Sequence, residues 1–145
     1  MADEVQAAVG LPLLHIADAT AAAARRAGLS TVGLLGTAFT MEEPFYREHL
    51  AASGLTVLVP DAADRAQVHS VIYRELVLGV VSAESRRAYA AVIDRLVRAG
   101  AEGVVLGCTE IELLVHAEDS PVPVFPTTRL HVEAAVAASL EPRAG

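Results

Sequence analysis

Residues 103–111, Gly-Val-Val-Leu-Gly-Cys-Thr-Glu-Ile, decide how the chain folds. The apolar run 103–106 has the length and composition of a buried strand, and the polar residues after it are typical of a helix start. The only cysteine, Cys108, therefore stands at a strand-to-helix turn. Active-site clefts lie at the carboxyl ends of parallel strands, and a helix amino terminus lowers the pKa of a thiol. We interpret Cys108 as a reactive thiol; the alternative is a small buried apolar side chain.

Short apolar runs alternate with longer helical patterns along the whole chain. Strands are predicted at 12–16, 31–36, 55–59, 103–107 and 122–125, and helices at 17–27, 41–53, 62–79, 83–99, 109–116 and 128–140. Gly28, Gly54 and Gly100 each follow a helix and precede a strand, as helix C-caps do. Apolar strands that alternate with helices predict an α/β fold with a parallel sheet covered by helices on both faces.

Candidate site residues follow each predicted strand. They are Asp18 and Thr20, Thr37 and Thr40, Pro60 and Asp61, Cys108 with Thr109 and Glu110, and Thr127 with Thr128. Because the carboxyl ends of parallel strands share one edge of the sheet, these residues are expected to gather there. Each hydroxyl or carboxylate alone is most simply a helix N-cap. Together with a thiol they predict a pocket for a small polar ligand.

Composition and charge exclude several classes of function. The 145 residues suffice for one domain with a sizeable core, and the mean hydropathy of +0.43 is high. A net charge of −7 argues against nucleic acid as a partner. The eleven Lys and Arg positions are all arginine, which excludes Schiff-base chemistry and a P-loop.

Neither a membrane segment nor a metal site is predicted. No apolar stretch approaches the roughly 18 residues that cross a bilayer, and the acidic residues 1–5 lack a signal-peptide pattern. A single cysteine cannot form an internal disulfide, so a cytoplasmic location is expected. The histidines lack metal-site spacing. They are His15, His49, His69, His116 and His131.

The sequence contains one weak internal repeat. The segment beginning at Pro12 and the segment beginning at Pro123 each combine a predicted short strand, a Thr-containing turn and an Ala-rich helix. The second copy ends a unit that begins near Thr31, so the first copy is expected to end a similar unit whose beginning is absent. This pattern indicates the second half of a duplicated protein.

Four segments resemble the cofactor-independent aspartate/glutamate racemases. They are residues 33–41 with Phe45-Tyr46, residues 68–76 with Gly79, Ser85-Arg86, and residues 105–111. Glu110 after Cys-Thr is similar to the aspartate and broad-specificity branch, whereas glutamate racemases usually place histidine there. The resemblance implies two similar domains facing each other across a cleft, each supplying one acid/base group. It assigns residues 1–27 to a remnant of the first domain and residues 28–145 to the second.

The resemblance also implies a chemistry without pyridoxal phosphate or another cofactor. Cys108 would be the second-domain acid/base, removing the α proton of one enantiomer and returning it to the other. Thr37, Thr40, Thr109 and Glu110 would bind the substrate, a small acidic amino acid or related carboxylate. The first-domain motif Cys-Asn-Thr does not occur in this chain, and Pro126 stands where relatives often carry aspartate.

Three functions remain open at this point. The first is a racemase of the aspartate type, present as a truncated or naturally shortened chain whose turnover alone is expected to be absent or very weak. The second is a one-cysteine decarboxylase or isomerase of the same superfamily, and the third is a non-catalytic half-domain that binds a small acid or a partner chain.

Arg86 and Arg87 are interpreted as part of a solvated helix face. Because residues 12–27 and 128–140 are strongly apolar, a homodimer joined through them is expected.

Overall fold

The computed structural model describes residues 2–140, which form one parallel sheet covered by helices on both faces. The strands are β1 (Thr31–Leu35), β2 (Thr56–Leu58), β3 (Gly103–Leu106) and β4 (Val124–Pro126), in the order β2-β1-β3-β4. The α-helices are α1 (Ala2–Ala8), α2 (Ile16–Arg26), α3 (Ala38–Glu42), α4 (Pro44–Ala52), α5 (Ala62–Arg74), α6 (Ala83–Arg98) and α7 (Thr127–Leu140). Short 3-10 helices span Leu76–Leu78, Thr109–Leu113 and Ala117–Asp119. The predicted α/β architecture is confirmed.

After Thr31, the central strands β1 and β3 contain no polar side chain, and both of their faces are buried. On one face, Leu35 and Leu106 pack with residues of α5 and α6. On the other face, Val32, Leu34 and Val105 pack with residues of α2 and α4. Strands covered on both sides have no solvent-facing positions, so they show no alternation of polar and apolar residues.

The predicted strand at 12–16 is wrong. The chain has no regular structure over residues 12–15, and α2 begins at Ile16. The Gln6 side chain satisfies the backbone here, because its amide donates to the Leu11 carbonyl at 3.0 Å and its Oε1 accepts from the Leu13 N–H at 2.6 Å. His15 then caps α2, its Nδ1 accepting from the Ala17 N–H at 3.1 Å. Local hydrogen bonds thus replace the strand pairing that the apolar run suggested.

Three predicted helices differ from the observed ones. The helix predicted at 41–53 is divided into α3 and α4 by Pro44, whose ring fixes a new helix start. The helix predicted at 62–79 ends at Arg74 and continues as the 3-10 helix 76–78, which Gly79 terminates at φ +74°. The helix predicted at 109–116 is the five-residue 3-10 helix 109–113. The C-cap glycines are confirmed: Gly28, Gly54 and Gly100 have φ of +77°, +85° and +108°.

No helix among residues 2–140 is both long enough and apolar enough to span a bilayer.

Glu102 joins the starts of β1 and β3. Its Oε2 accepts from the Ser30 N–H at 2.7 Å, the Ser30 hydroxyl at 3.0 Å and the Thr31 N–H at 2.9 Å. These bonds hold the pKa of the Glu102 carboxyl below its ordinary value. Since the folded pKa is depressed, the stabilisation is present above the unfolded pKa of about 4.3 and is lost as pH falls through the folded value.

We therefore expect Glu102→Gln to lower the urea midpoint at neutral pH, and we expect this difference to shrink in acid. Urea unfolding across a pH series measures it. The matched control is Glu48→Gln, which neutralises an exposed carboxylate on α4. A midpoint that Glu102→Gln lowers equally at neutral and acid pH would contradict the assignment.

Candidate active site

The candidate site is formed where β1 and β3 end side by side. Leu35 pairs with Leu106 in the sheet, and the Gly107 N–H donates to the Leu35 carbonyl at 2.7 Å. A Cβ on Gly107 would lie 3.1 Å from that carbonyl oxygen and 3.3 Å from Cγ2 of Thr40. Glycine at 107 therefore allows the turn that carries Cys108 to approach the loop that carries Thr37 and Thr40.

Thr37 and Thr40 lie in this loop, where they bond to each other. Thr37 caps α3, because its Oγ1 accepts from the Thr40 N–H at 3.3 Å, and the two hydroxyl oxygens are 3.1 Å apart. His69 reaches the same loop, its Nδ1 accepting from the Ala38 N–H at 3.1 Å. This bond places the proton of the neutral imidazole on Nε2. Sequence reasoning missed His69, since only the packing of α5 against α3 brings it here.

Cys108 is half-buried and faces a carboxylate. Its Sγ donates to Oε2 of Glu110 at 2.8 Å, and the Thr109 hydroxyl donates to the same oxygen at 2.8 Å. Burial raises the pKa of the Cys108 thiol to about 11, and the hydrogen bond and negative charge of Glu110 act in the same direction. The same hydrogen bonds from Cys108 and Thr109 hold the pKa of Glu110 below its ordinary value.

The predicted lowering of the Cys108 pKa is therefore wrong. The Glu110 N–H does lower this pKa, as expected of a helix start, but burial and the carboxylate outweigh it. A 3-10 helix of five residues also provides fewer aligned peptide dipoles than the predicted α-helix. We therefore expect Cys108 to alkylate more slowly than free cysteine at neutral pH, because the thiolate is the reactive form.

Tyr89 and Glu75 complete the surroundings of the thiol. The buried Tyr89 hydroxyl donates to the Val68 carbonyl at 2.9 Å. Its pKa is raised, first by burial and then by the charges of Cys108 and Glu75. The Glu75 carboxylate accepts from the Ser82 and Ser85 hydroxyls at 3.1 and 2.7 Å. Glu110 thus acts on the pKa of Cys108, whereas Cys108 and Glu75 act on that of Tyr89.

Arg86 has partners outside this cluster. One of its guanidinium nitrogens lies 3.3 Å from Oδ2 of Asp119 and 3.2 Å from Nδ1 of His116. It therefore joins α6 to the 3-10 helix 117–119, and Arg87 beside it is exposed. Neither residue supplies a cation to Cys108 through these contacts.

Several residues predicted for the sheet edge have other roles. Thr20 is buried in α2, where its hydroxyl donates to the Ile16 carbonyl at 2.9 Å. Asp61 caps α5 by accepting from the Asp64 N–H at 2.9 Å. The buried Thr127 hydroxyl donates to the Leu106 carbonyl at 2.8 Å and ties α7 to β3. For these residues, the simpler capping or packing role describes the observed contacts.

Asp18 belongs to a cluster with His15 and His49 that sequence spacing did not reveal. Its Oδ1 lies 2.6 Å from Nε2 of His49, and the ligand atoms of the three residues lie within 4.8 Å of one another. The imidazole rings are stacked with centroids 4.0 Å apart and planes 12° apart, so their lone pairs lie in separate, nearly parallel planes and do not converge on one point. His15 also uses Nδ1 to cap α2, which leaves the ring proton on Nε2. This arrangement does not suit a metal ion.

A cavity of about 310 Å³ lies beside the ends of β3 and β4. Glu112, His116 and Arg129 contribute polar groups to its wall, and Pro126 contributes an apolar one. Glu112 is already engaged, since its Oε1 accepts from the Thr128 N–H at 3.0 Å. The proline thus forms part of a cavity wall without offering a side-chain hydrogen bond.

Known proteins share this architecture. The model of the Asp/Glu/Hydantoin racemase family matches residues 1–135. A crystal structure from Yersinia pestis, provisionally named an Asp/Glu racemase, superposes with a TM-score of 0.92 at 51% identity, over 97% of this chain and 61% of that one. An aspartate racemase homologue from Pyrococcus horikoshii OT3 gives 0.88 at 32% identity, over 96% and 61%.

Two further matches agree. An uncharacterized protein encoded in the pnlA 3′ region of Pectobacterium carotovorum subsp. carotovorum is 35% identical over 106 residues, which are 73% of this chain and 69% of that protein. The aspartate racemase of Picrophilus torridus shares the fold, with a TM-score of 0.64 at 22% identity over 87% of this chain and 52% of that one. The chain spans about 61% of the length of the first two solved structures. By its sequence and its fold, the chain belongs to the Asp/Glu/Hydantoin racemase family.

Proposed function

We propose that this chain carries one acid/base half of a cofactor-independent amino-acid racemase that acts on an acidic amino acid. The observation that carries the proposal is the position of Cys108, at the carboxyl end of β3 and beside the loop of Thr37 and Thr40. Residues 28–145 would form the second domain of such an enzyme, and residues 1–27 would belong to the first. All four strands among the described residues fall within the proposed second domain.

Racemisation needs proton transfer on both faces of the α carbon. A base on one face breaks the Cα–H bond, and an acid on the opposite face supplies the proton that completes inversion. Cys108 is the acid for one enantiomer, losing its S–H proton to Cα and becoming a thiolate. In the reverse direction, that thiolate removes the α proton from the other enantiomer. The opposing group must come from outside Cys108, because one thiol reaches one face only.

The hydroxyls near Cys108 would hold the substrate carboxylate. Thr37, Thr40 and Thr109 present three hydroxyl groups around the ends of β1 and β3, and each contacts another group of the site. A bound carboxylate would accept hydrogen bonds from these hydroxyls in place of their present partners. Glu110 cannot contribute in the same way, since an ionised carboxylate only accepts hydrogen bonds and repels a second anion.

A one-cysteine decarboxylase is the second candidate. It is favoured by one observation, the 2.8 Å hydrogen bond from the Cys108 thiol to Glu110, since such an enzyme needs a thiol that delivers a single proton to an enolate-like intermediate. Deuterium incorporation at Cα of aspartate and glutamate tests the racemase. Release of carbon dioxide from substituted malonates tests the decarboxylase. Binding of these acids without either reaction would identify the chain as a binding module.

We further propose a homodimer that uses only one of the two segments expected, residues 128–140 of α7. No unpaired strand exists at 12–16, and α2 is partly covered by α7. The outer side of α7 remains apolar: Val132 is 57% and Val136 52% exposed. Exposed apolar clusters of this kind are typical of association surfaces.

We expect light scattering to show a dimer that Val136→Glu converts to a monomer, because the change buries a charge in an apolar contact. Leu78→Glu is the control, since Leu78 is similarly exposed but lies on the 3-10 helix 76–78. A monomer at all concentrations, or dissociation by the control alone, would contradict the proposal.

A further inference from the structure

One carboxylate oxygen of Glu110 accepts hydrogen bonds from two neighbouring side chains. Its Oε2 lies 2.8 Å from Sγ of Cys108 and 2.8 Å from Oγ1 of Thr109. An ionised carboxylate has no proton to give, so both neighbours must be donors. In this arrangement Cys108 is therefore a thiol whose proton points at Glu110.

The charges around Cys108 favour the same state. The hydrogen bond and the negative charge of Glu110 both raise the pKa of Cys108, and the charges of Cys108 and Glu75 both raise the pKa of Tyr89. Arg86 belongs to the segment Ser85-Arg86, which resembles the racemases, and its guanidinium group donates to the carboxylate of Asp119. A thiolate at Cys108 would lose its hydrogen bond to Glu110 and would lie against that carboxylate.

We propose that Glu110 is a positioning residue that holds Cys108 as a thiol, so that the resting site is set to donate a proton rather than to accept one. The inference rests on the proposed function and deepens it, because it gives Glu110 a role other than binding the substrate. It also defines when Cys108 becomes a base: the thiolate forms once its proton has moved to Cα. The α-ammonium group of a bound amino acid would then place a positive charge near the thiolate.

Alkylation of Cys108 by iodoacetamide tests this role without any turnover. Glu110→Gln keeps the size of the side chain and its acceptor oxygen but removes the charge. We expect the folded variant to alkylate about three- to tenfold faster than the unsubstituted chain at neutral pH, because each unit of pKa changes the thiolate fraction about tenfold. The rate profile should shift to lower pH by a corresponding amount.

Glu112→Gln is the matched control. Glu112 lies on the same 3-10 helix, two residues further along, and its Oε1 accepts from the Thr128 N–H rather than from the thiol. Its substitution should leave the alkylation profile unchanged. An equal or slower rate in folded Glu110→Gln, or the same acceleration in Glu112→Gln, would overturn the proposal.

If Glu110→Gln does not fold, Glu110→Asp provides the test. Aspartate keeps the charge but withdraws the carboxylate by one methylene, so the contact with Sγ is lost and alkylation should accelerate; an unchanged rate would overturn the proposal.

The outcome of the alkylation experiment is independent of the deuterium-exchange assay. Absence of Cα exchange would contradict the proposed racemase function. An alkylation profile that does not change when Glu110 is substituted would contradict only the positioning role of Glu110.

Discussion

Replacing Cys108 with serine is expected to reduce deuterium exchange at Cα of aspartate and glutamate by about 100-fold or more. A positioned acid or base contributes about 10²- to 10⁴-fold to proton transfer, and a serine hydroxyl is a far weaker acid than a thiol. Proton NMR in deuterated buffer measures the loss of the α signal. Ser53→Ala is the control, since it removes a hydroxyl at the far end of α4 and should leave exchange unchanged.

The unsubstituted chain itself should turn over weakly. It contains one cysteine, and the proposed reaction needs a second group on the opposite face of the substrate. Exchange that survives Cys108→Ser would show that another residue moves the proton. Rapid racemisation by a demonstrated monomer would show that the two-group mechanism does not apply to this chain.

Gly103→Val is expected to destabilise the fold by about 3 kcal/mol, because overpacking of a dense core costs about 1–3 kcal/mol and occasionally more. A Cβ at this position would lie 2.7 Å from Cδ1 of Leu29, 2.7 Å from Cε2 of Phe125 and 3.2 Å from the Pro123 carbonyl oxygen. That carbonyl accepts from the Val104 N–H at 2.9 Å, so the backbone cannot move away without breaking the ladder between β3 and β4. Valine adds two further methyl groups to this space.

Urea unfolding measures the effect, and Gly10→Ala is the control. A Cβ on Gly10 meets nothing within 4 Å, so its free energy of unfolding should change little. If Gly103→Val were as stable as Gly10→Ala, the tight packing between β3, Leu29 and Phe125 would not constrain the sheet as the structure implies.

Much of the fold could be predicted from local pattern. The apolar run at β3 predicts a strand buried on both faces, and glycines with positive φ end α2, α4 and α6 as expected. Proline at position 44 is typical of a helix start, but the single helix predicted at 41–53 runs through it. The strand predicted from the apolar run at 12–16 is wrong, because an apolar segment becomes a strand only when a neighbouring strand pairs with its backbone. Here the side chain of Gln6 forms hydrogen bonds with the backbone instead.

By itself, the sequence determined that Cys108 follows a buried strand and which family the chain resembles, and it predicted that Thr37 and Thr40 lie at the same edge of the sheet. These properties depend on the order of residue types and on the rule that parallel strands end at one edge. Only the tertiary structure decided that the pKa of the Cys108 thiol is raised rather than lowered. Burial by residues distant in sequence and the direction of the Glu110 side chain set its pKa, and both depend on how the chain packs in three dimensions.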